Sequence, residues 1–180
     1  MATTADFKNG LCIEFNNDLY TIVNFQHVKP GKGAAFVRTK LKSITTGKVI
    51  ENTFNAGIKI ATVRIERRPH QFLYKDNDGF YFMDTQTFEQ ICLPSDTVAQ
   101  AQFLKEEQIV DITFRAATNA VLSCELPPFV NLKVTYAEPA VKGNTVNRTL
   151  KHAKLETGAE VQVPLFIEIN DTIKVFRNRV

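Results

Sequence analysis

Groups able to do chemistry are sparse in this chain, and one lysine stands apart. Lys32 lies in the run Lys29-Pro30-Gly31-Lys32-Gly33. A lysine between two glycines has no side-chain bulk beside it, so its amine is free to reach outward. Lysine offers a compact cation with three donors and a nucleophilic amine open to covalent modification. Two readings follow from the residues alone. Lys32 is a probe that enters a narrow polyanionic pocket, or it is an exposed lysine in an ordinary glycine turn.

No other constellation has the spacing of a catalytic or metal site. His27, His70 and His152 lack metal-ligand spacing, and a surface or hydrogen-bonded structural role suits each. No Gly-x-Ser-x-Gly run is present. Gly31-Lys32-Gly33 opens like a dinucleotide fingerprint, but Phe36 takes the third glycine position and a strand follows instead of a helix. Asp76-Asn77-Asp78-Gly79 has the wrong acidic spacing for a calcium loop and reads as a hairpin turn. Glu106-Glu107 reads as a solvated acidic pair. An enzyme is therefore not expected, nor a metal or a bound cofactor.

The elements that must position Lys32 are strands. Along Ala35 to Lys42 the pattern has period two. Ala35, Val37, Thr39 and Leu41 share one face; Phe36, Arg38, Lys40 and Lys42 share the other. Leu19 to Val28 is rich in β-branched and aromatic residues and also reads as a strand. Proline fixes φ and glycine permits positive φ, so residues 29–33 form a hairpin loop between them. The row Arg38, Lys40, Lys42, with Lys29 across the loop, can track phosphates without reading bases. The competing reading is the solvated face of an edge strand.

Further on, Gln71–Tyr74 and Phe80–Met83 flank a turn, and a short helical turn is expected over Phe103–Gln108. Ile109–Arg115 and Ala120–Leu126 read as strands, and Pro127-Pro128 ends the second because proline cannot donate to a ladder. Leu132–Tyr136, Glu160–Val163 and Thr172–Phe176 complete the set, with turns at Thr157-Gly158 and Asn170-Asp171. Pro164 marks an edge or a bulge. Short strands at even spacing imply an all-β chain of small barrels or sandwiches.

Composition sets the frame. Of 180 residues, 44% are apolar and 23% charged, ordinary for a globular protein. No apolar run approaches the roughly 20 residues needed to span a bilayer, and the N-terminus does not read as a signal peptide. Cys12, Cys92 and Cys124 are far apart and odd in number, so a reducing cytoplasm is the simplest compartment. Charge is segregated. Residues 1–64 hold nine Lys and Arg against four Asp and Glu; residues 65–126 hold five against ten; residues 127–180 hold eight against five. Two basic ends around an acidic middle fit a partner with separated polyanionic surfaces.

Taken together, these motifs resemble bacterial elongation factor P along essentially the whole chain. The resemblance rests on His27-Val28-Lys29-Pro30-Gly31-Lys32-Gly33, Phe36-Val37-Arg38-Thr39-Lys40-Leu41, Arg67-Arg68-Pro69 and Phe82-Met83-Asp84. It continues through Glu125-Leu126-Pro127, Glu138-Pro139, Val141-Lys142-Gly143, Leu155-Glu156-Thr157-Gly158 and Val161-Gln162-Val163-Pro164-Leu165-Phe166-Ile167. It implies a KOW/SH3-like N-terminal β-barrel over 1–64 followed by two OB-folds over 65–126 and 127–180. It also implies a cytoplasmic, monomeric, non-enzymatic factor that binds both ribosomal subunits between the P and E sites. There it would hold a peptidyl-tRNA, tRNA-Pro foremost, when synthesis stalls on consecutive prolines.

By the same resemblance, Lys32 would point toward the peptidyl-transferase centre. Lys29, Pro30, Gly31, Gly33, Arg38, Lys40 and Lys42 would contact tRNA and ribosome, and the loop Lys142, Gly143, Asn144, Thr145 would face the exit-site codon. No cofactor is implied beyond a covalent extension of Lys32 by a modifying enzyme, such as β-lysylation or an aminopentanol group. The chain departs from the family pattern at Gly143-Asn144-Thr145-Val146, where Gly-Asp-Thr-Ala is common, and at Lys151-His152-Ala153-Lys154. Asn170 takes a usual glycine position, and the ending Phe176-Arg177-Asn178-Arg179-Val180 leads us to expect a short last strand. The alternative function is a paralogue of the family, or a general RNA-binding OB protein, without polyproline activity.

Overall fold

The computed structural model describes residues 1–139 and 149–177. Fifteen strands and two 3-10 turns make up its regular structure, with no α-helix among the described residues. The N-terminal strands are β1 (Ala2–Thr3), β2 (Cys12–Phe15), β3 (Asp18–Val28), β4 (Phe36–Ser43), β5 (Val49–Asn55) and β6 (Lys59–Ile60). Strands β2-β3-β4-β5 form one antiparallel sheet in sequence order, and β1 pairs with β6. The meander follows from short polar turns between strands that each carry one apolar face.

That apolar face builds the N-terminal core. Ile13, Ile22, Val37 and Leu41 are wholly buried, joined by Phe7, Phe54 and Ile60. Burying each such side chain contributes about 1.5–3 kcal/mol. Phe54 packs edge-on against both Phe7 and Phe15, with ring centroids 5.6 and 5.3 Å apart. The buried hydroxyl of Thr4 accepts a hydrogen bond from the Gly57 N–H at 2.8 Å, tying the N-terminus to the end of the meander.

The middle strands are β7 (Ile65–Lys75), β8 (Phe80–Asp84), β9 (Gln90–Leu93), β10 (Ile109–Arg115) and β11 (Ala120–Glu125), in the order β11-β10-β7-β8-β9. β7 starts six residues earlier than the expected Gln71 and runs through Arg67-Arg68-Pro69. Proline is tolerated because pairing with β8 begins only at His70, opposite Asp84. The helical turn expected over Phe103–Gln108 is instead a 3-10 turn at Ala101–Phe103. Glu107 adopts φ +65° and donates its N–H to the Phe72 carbonyl at 2.9 Å, which takes it out of any helix.

The last sheet comprises β12 (Phe129–Ala137), β13 (Leu150–Leu155), β14 (Glu160–Pro164) and β15 (Thr172–Phe176), ordered β14-β13-β12-β15. Pro164 lies on edge strand β14, as its chemistry requires. Asn170 has φ +75°, the left-handed conformation that a glycine adopts without cost and asparagine tolerates.

By contact density the chain forms two compact units, Met1–Arg68 with Ile112–Cys124, and Pro69–Asp111 with Glu125–Arg179. In the second unit Glu156 accepts the Lys133 N–H at 2.9 Å and lies 3.3 Å from Lys105 Nζ. The backbone bond first, and the ammonium second, hold its carboxyl below the usual carboxylate range. A depressed folded-state pKa adds stability above the unfolded value and loses it as pH falls through the folded one. Glu156→Gln should therefore lower the urea midpoint at pH 7, and the gap to the parent should close as pH drops below about 4.

Candidate functional site at the Lys32 hairpin

The site is an arm made of β3 and β4 with a loop at its tip. Pairing runs without a break from Asn24 opposite Lys40 to Val28 opposite Phe36. Below that, a register shift between Ile22 and Asn24 makes a β-bulge at Val23. The bulge has a clear purpose in the pattern. Ile22 and Phe25 lie three residues apart, yet both pack on the core, and one extra residue restores the phase.

β4 is not the edge strand that one reading of its basic face assumed. It is interior, paired with β3 on one side and with β5 from Phe36–Asn55 to Lys42–Val49 on the other. Pairing with β5 continues to the very end of β4, and Ala56 donates its N–H to the Ala35 carbonyl at 3.0 Å. The arm is thus braced by three strands to within a residue of the loop. Val37, fully buried, anchors it on the core side.

The loop occupies residues 29–35. Gly33 has φ +107°, a conformation in which a β-carbon is strained. Gly31 has no atom near where its β-carbon would be, so nothing crowds Lys32. Lys29, Gly31, Lys32 and Gly33 are exposed and Pro30 is half-buried. Among the described residues Lys32 has no hydrogen-bond or ion-pair partner.

The basic face divides on inspection. Arg38 and Lys40 are exposed on the outer face, while Lys42 is half-buried. Arg38 lies over the Phe36 ring at 5.6 Å, and Lys40 Nζ is 3.4 Å from Glu51 on β5. The cross-strand register puts Glu51 directly opposite Lys40, so this cation is partly compensated. Reading β4 alone missed Glu51; the alternation of Val49 to Asn55 in β5 held the signal. Asn24, Gln26, Arg38, Lys40, Glu51 and Thr53 line a shallow concavity of about 450 Å³ beside the arm. The expected C-terminal loop Lys142, Gly143, Asn144 and Thr145 lies outside the described residues.

The remaining titratable groups do not assemble a catalytic centre among the described residues. His70 is buried with its Nε2 3.8 Å from Asp84 Oδ2, and His152 lies 3.4 Å from Glu160. No group of three metal-ligating side chains occurs among the described residues. No helix there is long and apolar enough to cross a membrane.

Comparison with known proteins decides the family. Residues 3–60 match the elongation factor P KOW-like domain, 65–119 its OB domain, and 130–178 its C-terminal domain. An elongation factor P from Amoebophilus asiaticus is 62% identical over 97% of this chain and 92% of its own length. The chain belongs to the elongation factor P family. Elongation factor P 1 of Porphyromonas gingivalis is 55% identical over 97% of this chain and 93% of its own, and a relative in Chloroflexus aurantiacus is 52% identical over 96% and 92%. Elongation factor P is a translation elongation factor and not an enzyme. Solved structures of the same fold include a translation initiation factor 5A from Methanococcus jannaschii, with a TM-score of 0.52 at 22% identity over 70% of this chain and 90% of that one. A second, from Naegleria fowleri, has a TM-score of 0.53 at 16% identity, over 69% and 96%.

The burial pattern separates tip from anchor. Lys32→Ala should leave the thermal midpoint within about 1 °C of the parent, since the side chain buries nothing. Leu41→Ala, at the base of the arm, should cost roughly 2–5 kcal/mol by urea denaturation.

Proposed function

We propose that this factor binds the ribosome between the P and E sites and stimulates peptide-bond formation at consecutive prolines. It does so by holding the peptidyl-tRNA, tRNA-Pro foremost, through the hairpin that carries Lys32. The observation that carries the proposal is a lysine at the tip of an arm braced by three strands, without a hydrogen-bond or ion-pair partner among the described residues. The working segment is 1–64, and segment 127–180 lies near the small subunit, with Lys142, Gly143, Asn144 and Thr145 near the exit-site codon.

The mechanism is positional. Proline is a poor acceptor and a constrained donor, so the reacting ends spend little time aligned. Fixing the CCA end in a reactive geometry lowers an entropic barrier, an effect worth several kcal/mol in oriented systems. The ribosome makes the bond, so the factor itself needs no acid or base. Lys29, Arg38 and Lys42 supply phosphate contacts along the arm, and Pro30, Gly31 and Gly33 shape the tip. Lys40, tied to Glu51, contributes less charge than its neighbours. The Lys32 amine, exposed and flanked by glycines, suits covalent extension by a lysine-modifying enzyme in the cytoplasm. Extension would lengthen the reach of the cation without altering the arm.

Lys32→Ala should bind ribosomes but fail to relieve pausing at Pro-Pro-Pro in reconstituted translation. Full rescue by that variant contradicts the proposal. Intact-protein mass spectrometry of material from the native source reads any added mass on the peptide containing Lys32.

A further inference from the structure

Three cross-strand rows lie on the outer face of the arm, and the middle one differs from its neighbours. The register aligns Gln26, Arg38 and Thr53 in the row nearest the tip, then Asn24, Lys40 and Glu51, then Thr21, Lys42 and Val49. The first and third rows each carry one cation and no acid. The middle row carries an ammonium and a carboxylate 3.4 Å apart and so has no net charge. Glu51 is the one acid among these residues. Beside it, Asn24, Gln26 and Thr53 are exposed, and their side chains have no hydrogen-bond partner among the described residues.

A carboxylate does not suit a surface that only follows phosphates, because it repels them. Stability does not call for it either. Glu51 is exposed on the face away from Val37 and Leu41, and an ion pair in that setting contributes little. An ionised carboxylate accepts hydrogen bonds and donates none, so its counterpart must bring a donor. On an RNA strand the donor present at every nucleotide, whatever the sequence, is the ribose 2′-hydroxyl. A paired A-form stem shows these hydroxyls in its wide, shallow minor groove, between its two phosphate strands, whereas its deep, narrow major groove is closed to side chains. The rows have the matching order. Arg38 and Lys42 are four residues apart, which is roughly 13 Å along a strand, and the acceptor row lies between them.

We propose that Glu51 is a specificity-determining residue that accepts a ribose 2′-hydroxyl in the minor groove of a paired RNA stem, while Arg38 and Lys42 hold phosphates of the two bordering strands. This role rests on the arm holding tRNA, and it specifies what the arm reads there: the sugars of a paired stem, not its base sequence. Lys40 is a positioning residue in this arrangement. Its ammonium holds the Glu51 carboxylate over the middle of the sheet and offsets the repulsion that the carboxylate would exert on nearby phosphates.

The test uses the full-length protein and two short fluorescent duplexes of one sequence, one of RNA and one with fluorine in place of every 2′-hydroxyl. The fluorinated duplex keeps the A-form and the phosphates but has no sugar donor. Anisotropy at low salt gives both affinities. The parent should bind the RNA duplex roughly 3- to 10-fold more tightly, the effect of one or two partly exposed hydrogen bonds. Glu51→Ala should bring that ratio to about 1, chiefly by tightening the fluorinated duplex, which no longer meets an unanswered carboxylate. Arg38→Ala should weaken both duplexes, keep the ratio, and reduce the slope of log K against log salt by about 0.9. Absence of discrimination by the parent overturns the proposal. So does a parent-like ratio in Glu51→Ala, which would leave Glu51 as a counter-charge to Lys40 and nothing more. Neither duplex carries a peptide or needs a ribosome, so the outcome is distinct from that of Lys32→Ala in reconstituted translation.

Discussion

Everything at the tip depends on how the β3–β4–β5 ladder is seated on its core. Ile22, Val37, Leu41 and Phe54 are buried beneath the three strands and define which face of each looks inward. Because side chains alternate with a period of two, a slip of one residue would send Val37 and Leu41 to solvent and Arg38 and Lys40 into the core. Burial of these four side chains thus sets the register. The register sets the direction of the arm, and the arm sets where Lys32 can reach. The bulge at Val23 belongs to the same constraint, since it lets Ile22 and Phe25 share the core without breaking the pairing above.

The loop adds little to stability and much to access. Its glycines relieve crowding on either side of Lys32, and the positive φ at Gly33 closes the hairpin. Charge is distributed to match. Lys29, Lys32, Arg38 and Lys42 have no acidic partner among the described residues, whereas Lys40 is held by Glu51. A polyanion approaching this face meets its free cations around the tip and the flanks of the arm. The Phe129–Phe176 pair on β12 and β15 has a different character, two exposed rings with the Lys174 ammonium lying over them.

Much of this was legible in the sequence, for reasons that can be named. The alternation from Ala35 to Lys42 survives intact because no bulge interrupts β4, so its inner and outer faces read directly. β3 was recognisable from its residue types, but the bulge blurred its faces. β13 escaped notice because Lys151 points inward and is buried opposite Val163, which breaks the apolar alternation with a charge. The start of β7 was hidden by Pro69, a residue that ordinarily argues against a strand. The helical turn was misplaced because a long-range bond from Glu107 to Phe72 overrides local preference. Long-range pairing likewise concealed the Lys40–Glu51 contact and brought Phe176 beside Phe129. Such partners are many residues apart, and only strand order makes them neighbours.

The account rests on the arm being stiff up to the loop, and amide hydrogen exchange read by mass spectrometry tests that directly. Backbone amides that pair within 24–28 and 36–40 should exchange only with global unfolding, while those of 31–35 should exchange within seconds. If the strand amides exchange as fast as the loop, the arm does not hold its tip in place, and the positional role of Lys32 fails with it.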